Sequence, residues 1–311
     1  MKQESDATGL NRLTVDDSTP LARELAQESR RREKLRGKRL PHPESTRIIT
    51  VSNQKGGVGK TTTTVNLSAA LARAGMNVLV VDIDPQGNAS TALAIPHSSE
   101  VDSIYDVLID EMPMGEVVQP CPDVEGLFVA PATIELAGAE IELVSLVARE
   151  QRLTRALKDY FCSREKQGLP RIDYVFIDCP PSLGLLTVNA FVAATEVLIP
   201  IQTEYYALEG LSQLLNNISM IQKHLNSDLE VSTILLTMYD GRTNLASQVA
   251  EEVREHFPDQ VLQAVIPRNV RISEAPSFQQ TVLTYDPQSS GALSYREAAA
   301  EIAEKGHQVG R

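Results

Sequence analysis

The sequence contains no tryptophan, and aromatic residues make up only 5% of its 311 residues. Its three cysteines are odd in number and widely spaced, which argues against disulfides and a zinc site and favours a reducing compartment. It has no run of about 18 apolar residues, so a membrane-spanning helix is not expected. The first ten residues, MKQESDATGL, lack the apolar segment of a secretory signal. These absences predict a cytoplasmic protein.

Negative charge predominates in the chain, whose formal net charge is −12. Residues 30–39, RRREKLRGKR, run against this trend with seven Lys or Arg and one Glu. This basic segment has a local net charge of +6, which leaves −18 for the rest of the chain. Because a few arginines on one face can bind nucleic acid, the negative total does not exclude DNA binding.

Residues 1–46 are polar, show no strand pattern and end close to Pro41-His42-Pro43, a sequence typical of linkers. They are predicted to form a disordered N-terminal extension, and residues 47–311 a single domain. Within the extension, residues 20–39 are compatible with a transient helix. Two interpretations of the basic segment stay open: contact with DNA or an acidic partner, or a solvated tail without a binding role.

From Arg47 onward, short apolar strands alternate with amphipathic helices. This alternation predicts an α/β fold, a doubly wound, mainly parallel sheet with helices on both faces. The predicted strands are 47–53, 77–82, 127–130, 173–178, 196–202, 231–238 and 261–266. The predicted helices are 60–74, 103–109, 139–160, 184–194, 207–225, 243–256 and 291–305.

Residues 48–61, IITVSNQKGGVGKT, combine a β-branched strand, a glycine-rich loop and the start of a helix. This is the context that a phosphate-binding P-loop requires. Glycines allow the loop to turn its backbone N–H groups inward, and the helix N-terminus adds its positive dipole end. Lys60 is expected to reach the β- and γ-phosphates of a nucleotide, and the Thr61 hydroxyl to ligate Mg²⁺.

The motif departs from the general P-loop pattern at its start. Gln54 stands where the general motif has glycine, and a second lysine, Lys55, lies at the mouth of the loop. The form KGGVGKTT is the deviant Walker A motif, and it resembles the ParA/MinD class of P-loop ATPases. Three other segments resemble the ParA/Soj branch, which partitions chromosomes and plasmids: residues 131–140, 203–213 and 267–276.

The resemblance implies a P-loop ATPase domain over residues 47–311, with ATP and Mg²⁺ as cofactors. In related proteins Met238, Pro267 and Asn269 would frame the adenine, with Asn269 as the hydrogen-bonding candidate. The ATP-binding residues that the resemblance implies are Lys55, Gly56, Gly57, Val58, Gly59, Lys60, Thr61, Thr62, Met238, Pro267 and Asn269.

Two predicted strands end in carboxylates, and ligands of open α/β sheets bind at the carboxyl ends of strands. Asp178 ends a strand of the Walker B form, so it is expected to hold Mg²⁺ together with Thr61. Asp82 and Asp84 end another strand, and the resemblance makes Asp84 the residue that orients the attacking water. Lys55, Lys60 and Asp84 are therefore the expected catalytic residues.

The segment CPPSLG, residues 179–184, resembles switch II, which couples the γ-phosphate to the shape of the dimer in this class. Cys179 is adjacent to a carboxylate expected to bind metal, which raises the idea of a thiol nucleophile or an iron–sulfur ligand. No partner cysteine has a suitable spacing, so a buried small apolar residue is the favoured interpretation.

Arg242 and Arg271 follow predicted strand ends and match positions that bind the DNA backbone in Soj-like proteins. Such contacts read charge and not sequence. The resemblance implies an ATP-dependent sandwich homodimer in which Lys55 reaches the phosphates of the other subunit. This dimer would bind double-stranded DNA non-specifically, at the nucleoid. A ParB-type centromere-binding partner would stimulate hydrolysis and release.

Four alternative functions differ in the features that they would require. A MinD-like positioning ATPase would need a terminal membrane helix, but the last residues, SYREAAAEIAEKGHQVGR, are alanine-rich and lack a Phe or Leu wedge. A metal-cluster carrier would need paired cysteines. In a nucleotide-gated DNA-binding regulator hydrolysis would be incidental, so stimulation of the ATPase by a partner would discriminate. A sequence-specific repressor would need a helix-turn-helix, which residues 1–46 do not offer.

Overall fold

The computed structural model describes residues 20–204 and 207–308. The chain forms two compact units, which divide between Lys38 and Arg39. The first unit contains helix α1, Pro20–Leu35, so most of the segment expected to be transiently helical is a helix. Residues 1–19 lie outside the described part of the chain, and the disordered extension over residues 1–46 stays a prediction.

The second unit is built on a sheet of seven strands in the described residues. These strands are β1 (Arg47–Val51), β2 (Val78–Asp82), β3 (Gln119–Pro120), β4 (Leu127–Ala130), β5 (Tyr174–Asp178), β6 (Glu196–Gln202) and β7 (Glu230–Thr237). Their order in the sheet is β3-β4-β2-β5-β1-β6-β7. Every pairing is parallel except that of β3 with β4, so the predicted mainly parallel sheet is confirmed.

Helices cover both faces of the sheet. They are α2 (Lys60–Ala72), α3 (Asn88–Ala92), α4 (Ile104–Ile109), α5 (Met114–Val117), α6 (Leu136–Glu142), α7 (Arg152–Lys166), α8 (Leu185–Ala193), α9 (Ala207–His224), α10 (Asn244–His256), α11 (Val270–Glu274), α12 (Val282–Tyr285) and α13 (Ser290–Gln308). Along β2, Val78 and Val80 pack with α2 and α13, whereas Leu79 and Val81 pack with α4 and α7. The strand is apolar throughout because both of its faces are buried.

The long helix predicted at 139–160 is wrong. Helix α6 ends at Glu142, two short 3₁₀ turns follow, and α7 begins at Arg152. Between them Ala148 takes a left-handed conformation with φ of 51°. Asn189 of α8 stabilises this break, because its side chain donates to the Arg149 carbonyl (2.8 Å) and accepts from the Leu153 amide (3.2 Å). Tertiary hydrogen bonds thus outweigh the helical pattern of the sequence.

The strand predicted at 261–266 is also wrong. The chain runs beside β7 there, but it forms only an isolated bridge between Val261 and Ile234. The backbone amides of Gln263 and Ala264 donate to the carboxylate of Glu301, each over 2.7 Å. The Leu262 and Ile266 amides still donate to carbonyls of β7, but the two amides bonded to Glu301 of α13 interrupt the ladder, so no continuous strand forms.

The register of the central strands sets the position of the site. Asp178 of β5 is aligned with Val51 of β1 on one side and with Asp82 of β2 on the other. The carboxyl ends of these three strands are therefore level. The loop that leaves β1 for α2 begins at the same edge, so phosphate-binding backbone and carboxylates come together there.

Candidate functional site

The loop between β1 and α2 is curled by glycines. Gly57 and Gly59 have φ values of 74° and 87°, in the left-handed region that favours glycine. A Cβ added to Gly56 or Gly57 would meet no atom of the described residues within 4 Å, so the loop borders open space. Behind it, the Thr237 hydroxyl donates to the Val58 carbonyl over 2.8 Å. The loop is therefore a curved, hydrogen-bonded backbone segment at the N-terminus of α2, which is suited to bind an anion.

Lys60 lies under this loop and is only 7% exposed. Its Nζ is 3.4 Å from the Lys55 carbonyl oxygen, so the side chain folds back along the loop. Burial lowers the pKa of the Lys60 ammonium, and the nearby carboxylates of Asp178 and Asp84 act in the opposite sense. An ammonium held in this way is well placed to neutralise a phosphate.

Thr61 and Asp178 form the pair of oxygens expected at a magnesium site. The Thr61 hydroxyl donates to Asp178 Oδ2 over 2.7 Å, and Thr64 donates to Oδ1 over 2.9 Å. Burial, and then the charge of Asp82, raise the pKa of Asp178 well above its usual range. Burial thus disfavours the ionised form of Asp178 unless a cation lies beside it, and hydroxyl and carboxylate oxygens are what Mg²⁺ prefers. These residues therefore fit the cation.

Asp82 and Asp84 differ in their surroundings. Asp82 is fully buried and accepts hydrogen bonds from the Ser90 amide (2.9 Å) and hydroxyl (2.8 Å), which ties β2 to α3. Asp84 begins the following turn, where its Oδ1 accepts from the Gln86 amide over 3.0 Å. Asp84 also belongs to the charges that act on Lys60. Asp82 is thus a structural brace, and the catalytic role of Asp84 stays a prediction.

Lys55 lies at the rim of the loop, outside the buried site. Its ammonium forms an ion pair with Glu204, which follows β6, and both side chains are 46% exposed. This pair could not be predicted from the sequence, because the two residues are 149 positions apart. Exposed ion pairs of this kind contribute little stability, so Lys55 can exchange partners at small cost.

The segment 179–184 leaves the carboxyl end of β5 beside these residues. Burial, and then the charge of Asp178, raise the pKa of the Cys179 thiol well above its usual range. A buried neutral thiol is not a nucleophile, in agreement with its interpretation as a small apolar residue. At the far end of the segment, a Cβ on Gly184 would collide with the Glu140 carboxylate, so α6 packs closely against this segment.

The residues predicted to frame the adenine lie on two adjoining loops. Met238 follows β7 with φ of 49°, and the Tyr239 amide donates to the Ile266 carbonyl over 3.0 Å. Asn269 caps α11: its Oδ1 accepts from the Arg271 amide (2.8 Å) and its Nδ2 donates to Ser290 (2.9 Å). The Asn269 amide is therefore engaged within the protein, and its contact with adenine stays a prediction.

The two arginines predicted to bind DNA lie close by in the chain, Arg242 in the loop after β7 and Arg271 in the first turn of α11. Arg242 is 88% exposed and forms two hydrogen bonds of 2.8 Å with the carboxylate of Asp240. Arg271 is 54% exposed and pairs with Glu274 (3.0 Å) and Asp286 (3.5 Å). Both guanidinium groups thus face nearby carboxylates, and a DNA phosphate bound there would compete with these carboxylates.

Comparison with known proteins identifies the family. A family model described as an AAA domain matches residues 46–231. The sporulation initiation inhibitor protein Soj of Bacillus subtilis is 55% identical over 84% of this chain and 99% of its own length. The chromosome partitioning protein ParA of Myxococcus xanthus is 50% identical over 83% of this chain and 88% of its own length. The chain belongs to the Soj/ParA family of chromosome-partitioning ATPases.

A solved structure agrees with this family assignment. It is that of a Mycobacterium smegmatis protein described as cobyrinic acid a,c-diamide synthase, with bound ADP and magnesium. The TM-score is 0.71 at 36% identity, over 86% of this chain and 97% of that chain. Nucleotide and magnesium therefore bind within this structural group. The Soj/ParA chain described here is an ATPase, and its α/β P-loop fold is confirmed.

Some residues around this Soj/ParA site were not predicted from the sequence. Thr64 could have been, because it lies one helical turn after Thr61 and so shares its face of α2. Glu204 and Thr237 reach the loop from distant strands, and only the fold shows these contacts. In the described part of the chain, no group of three or more His, Cys, Asp or Glu residues is arranged to hold a metal ion. A hydroxyl and one carboxylate beside a triphosphate do not need such a cluster.

Proposed function

We propose that this Soj/ParA ATPase is a nucleotide-gated DNA-segregation switch. In this proposal ATP and Mg²⁺ bind at the P-loop and two chains form a sandwich dimer. The dimer binds double-stranded DNA without sequence preference and therefore associates with the nucleoid. A ParB-type partner stimulates hydrolysis, the dimer dissociates, and DNA is released. Residues 47–311 form the ATPase domain, and residues 1–46 an extension.

The proposal rests on the different positions of two lysines, Lys60 and Lys55. Lys60 is buried within the loop, whereas Lys55 is exposed on its rim and paired only weakly with Glu204. A lysine that served its own subunit's phosphates would be expected inside, beside Lys60. A rim lysine is instead suited to reach across to a second chain, so that a monomer has an incomplete site.

The residues of the site have separate tasks in hydrolysis. The loop amides and Lys60 hold the phosphates, and Lys55 of the second chain adds positive charge to their oxygens. Thr61 and Asp178 would hold Mg²⁺, which supplies further positive charge when bound. Asp84 positions the attacking water. Lys55 arrives only with the second chain, so hydrolysis depends on dimer formation.

DNA binding is assigned to Arg242 and Arg271. Arg242 lies in the exposed loop after β7 and Arg271 in the first turn of α11, and the segments that lead to them meet at the Tyr239–Pro267 bridge, so each chain has two exposed arginines on neighbouring segments. A dimer would double their number, which supports binding that requires ATP. Phosphate contacts of this kind are independent of base sequence.

The membrane-binding alternative is less well supported. The last described helix, α13, buries its apolar residues against α2 and the core, including Leu293, Tyr295 and Ile302. These residues are therefore engaged and do not form a surface for lipid. Within residues 20–204 and 207–308, no helix is long and apolar enough to cross a membrane.

The test compares the wild-type protein with Asp84→Ala and with Arg242→Glu. Asp84→Ala should bind ATP and dimerise but remain on DNA, because hydrolysis is lost. Arg242→Glu should keep ATP-dependent dimerisation and lose DNA binding. Phosphate release, light scattering and DNA anisotropy report the three properties separately.

Normal turnover by Asp84→Ala would show that another group positions the water. Loss of dimerisation in Arg242→Glu would place that arginine at the subunit interface and overturn its assignment to DNA. A matched control is Lys158→Glu, which reverses one exposed charge on α7 and should change none of these properties.

A further inference from the structure

Thr64 is a fully buried residue beside the proposed magnesium site. It lies in α2, one helical turn beyond Thr61. Its hydroxyl is 2.9 Å from Asp178 Oδ1 and 3.1 Å from the Lys60 carbonyl oxygen. The Thr64 side chain therefore connects the phosphate-binding helix to the end of β5, but it has no task in the proposed function.

The Thr64 hydroxyl has a single hydrogen, so these two acceptors compete for it. A carboxylate must be ionised to hold a cation, and hydrogen bonds to an ionised acceptor are about twice as strong as those to a neutral one. The Asp178 contact is also the shorter of the two. When a cation is bound, the hydrogen of Thr64 is therefore directed to Asp178.

Two hydroxyls of α2 thus hold the two oxygens of Asp178. Thr61 donates to Oδ2 over 2.7 Å, and Thr64 donates to Oδ1 over 2.9 Å. Thr61 and Thr64 are three positions apart, so they share one face of the helix. Contacts to both oxygens fix the plane of the carboxylate as well as its position, because rotation of the carboxylate would break both hydrogen bonds.

The two hydroxyls differ in their access to the site. Thr61 is partly exposed at the start of α2, whereas Thr64 is completely buried one turn further on. Thr61 is therefore available to a cation beside a nucleotide, and Thr64 is not. Carboxylates that bind metals are commonly oriented by such outer hydrogen-bond partners. Thr64 lies where an outer partner of Asp178 is needed.

A fixed carboxylate matters more for Mg²⁺ than for Ca²⁺. Mg²⁺ requires near-ideal octahedral geometry with ligands at about 2.0–2.1 Å, whereas Ca²⁺ accepts longer bonds and flexible arrangements. A carboxylate that could rotate would therefore lose more affinity for Mg²⁺ than for Ca²⁺. The contacts that fix Asp178 thus favour the smaller cation.

We propose that Thr64 is a positioning residue of the magnesium site, which acts through the Asp178 carboxylate and favours Mg²⁺ over Ca²⁺. This inference rests on the proposed function, in which Thr61 and Asp178 hold the cation. Thr64 fixes Oδ1 of Asp178, and so presents Oδ2 and the Thr61 oxygen to the cation in one arrangement.

The test measures cation binding and not turnover. Full-length protein with a fluorescent ADP analogue is titrated with magnesium chloride or calcium chloride, and the affinity for the analogue is also measured in EDTA. Thr64→Val removes the hydroxyl at nearly constant volume, whereas Thr64→Ser retains the hydroxyl. The matched control is Thr63→Val, the same change in the adjacent buried threonine, which has Tyr295 of α13 as its neighbour.

The expected result is a selective loss of magnesium affinity. Since removal of an outer partner typically lowers metal affinity about 10- to 100-fold, Thr64→Val should need at least about tenfold more Mg²⁺ for half-saturation. The rise for Ca²⁺ should be smaller, and the affinity for the ADP analogue in EDTA should be unchanged. Thr64→Ser and Thr63→Val should behave as the wild type. Thermal unfolding checks that each variant folds, and Thr64→Ala replaces Thr64→Val if the latter does not fold.

A double-mutant cycle tests whether Thr64 acts through Asp178. In Asp178→Asn the ligand itself is weakened, so the addition of Thr64→Val should lower the magnesium affinity little further. Additive losses would overturn the proposal. So would an unchanged magnesium affinity in Thr64→Val, or equal losses for Mg²⁺ and Ca²⁺. An equal loss of affinity for the ADP analogue with and without Mg²⁺ would reduce Thr64 to a structural role.

Failure of the proposed function gives a different result. If Asp178→Asn leaves the magnesium requirement unchanged, the cation does not bind at Asp178, and the role of Thr64 is refuted together with the proposed site. If Asp178→Asn raises the requirement and Thr64→Val does not, the site stands and only the role of Thr64 is refuted.

Discussion

Replacement of Asp240 by Asn should strengthen the proposed DNA binding, because it removes a carboxylate that competes with phosphate for Arg242. In the structure both oxygens of Asp240 accept hydrogen bonds of 2.8 Å from the Arg242 guanidinium. These bonds lower the pKa of Asp240 to about 2, so the pair is fully charged at any pH used for DNA binding. A phosphate must therefore displace or share this carboxylate.

The size of the effect follows from the exposure of the pair. Arg242 is 88% exposed, and exposed ion pairs are weak, so we expect the affinity in ATP to rise by about twofold to fivefold. The loop itself should be preserved. Asp240 Oδ1 also accepts from the Arg242 amide over 3.1 Å, and the Asn amide oxygen can accept the same bond.

The matched control is Asp228→Asn. Asp228 is exposed just before β7, whereas Asp240 lies just after it, so the two charges are at opposite ends of the same strand. DNA anisotropy in ATP at low and moderate salt would compare both variants with the wild type. An equal gain in DNA affinity for both variants would show that the change in net charge alone accounts for the effect. Unchanged or weaker binding in Asp240→Asn alone would refute a phosphate contact by Arg242.

Two further predictions concern stability and turnover. Glu196→Ala should destabilise the fold by about 3–5 kcal/mol, because it leaves the buried Arg47 guanidinium without the two 2.7 Å contacts that it now makes. Urea unfolding measures this loss of stability. The control Glu150→Ala breaks an exposed ion pair and should change stability little. Equal losses in the two variants would show that burial of the Arg47–Glu196 pair has no special effect. Gly87→Ala should cost about 1–2 kcal/mol, because φ is 59° and its Cβ would lie 2.9 Å from the His97 ring. It should also slow ATP turnover by shifting the turn of the proposed water-positioning residue, and a normal rate would argue against that role.

The parts of the fold that the sequence predicted are those determined by local pattern. The central strands are apolar because both faces are buried, and this pattern is visible in β2 and β5 without any structure. The glycine loop is equally local, since it lies between β1 and α2 and its residues are consecutive. The prediction of one helix over 139–160 was wrong because Asn189, on another helix, makes the hydrogen bonds that stabilise the break.

The sequence indicated which site residues would meet where these residues end, or closely follow, neighbouring parallel strands. Thr61 and Asp178 do meet, over 2.7 Å, because aligned parallel strands end at one edge. The sequence could not show that Lys55 meets Glu204, since this depends on how the end of β6 approaches the loop. Nor could the sequence show that the Asn269 side-chain amide donates a hydrogen bond to Ser290 and therefore already has a partner within the protein.

The register of β2 and β5 places the carboxylates of Asp82 and Asp178 side by side in the interior. Burial raises the pKa of each carboxyl, and the charge of Asp82 raises that of Asp178 further, so the interior disfavours two ionised carboxylates together. A cation bound beside Asp178 would offset this cost, and binding to the folded state alone stabilises that state. Proteases act on transiently opened molecules, so the empty form should be degraded faster than the loaded form. Nucleotide occupancy would then also affect how long the protein survives in the cell.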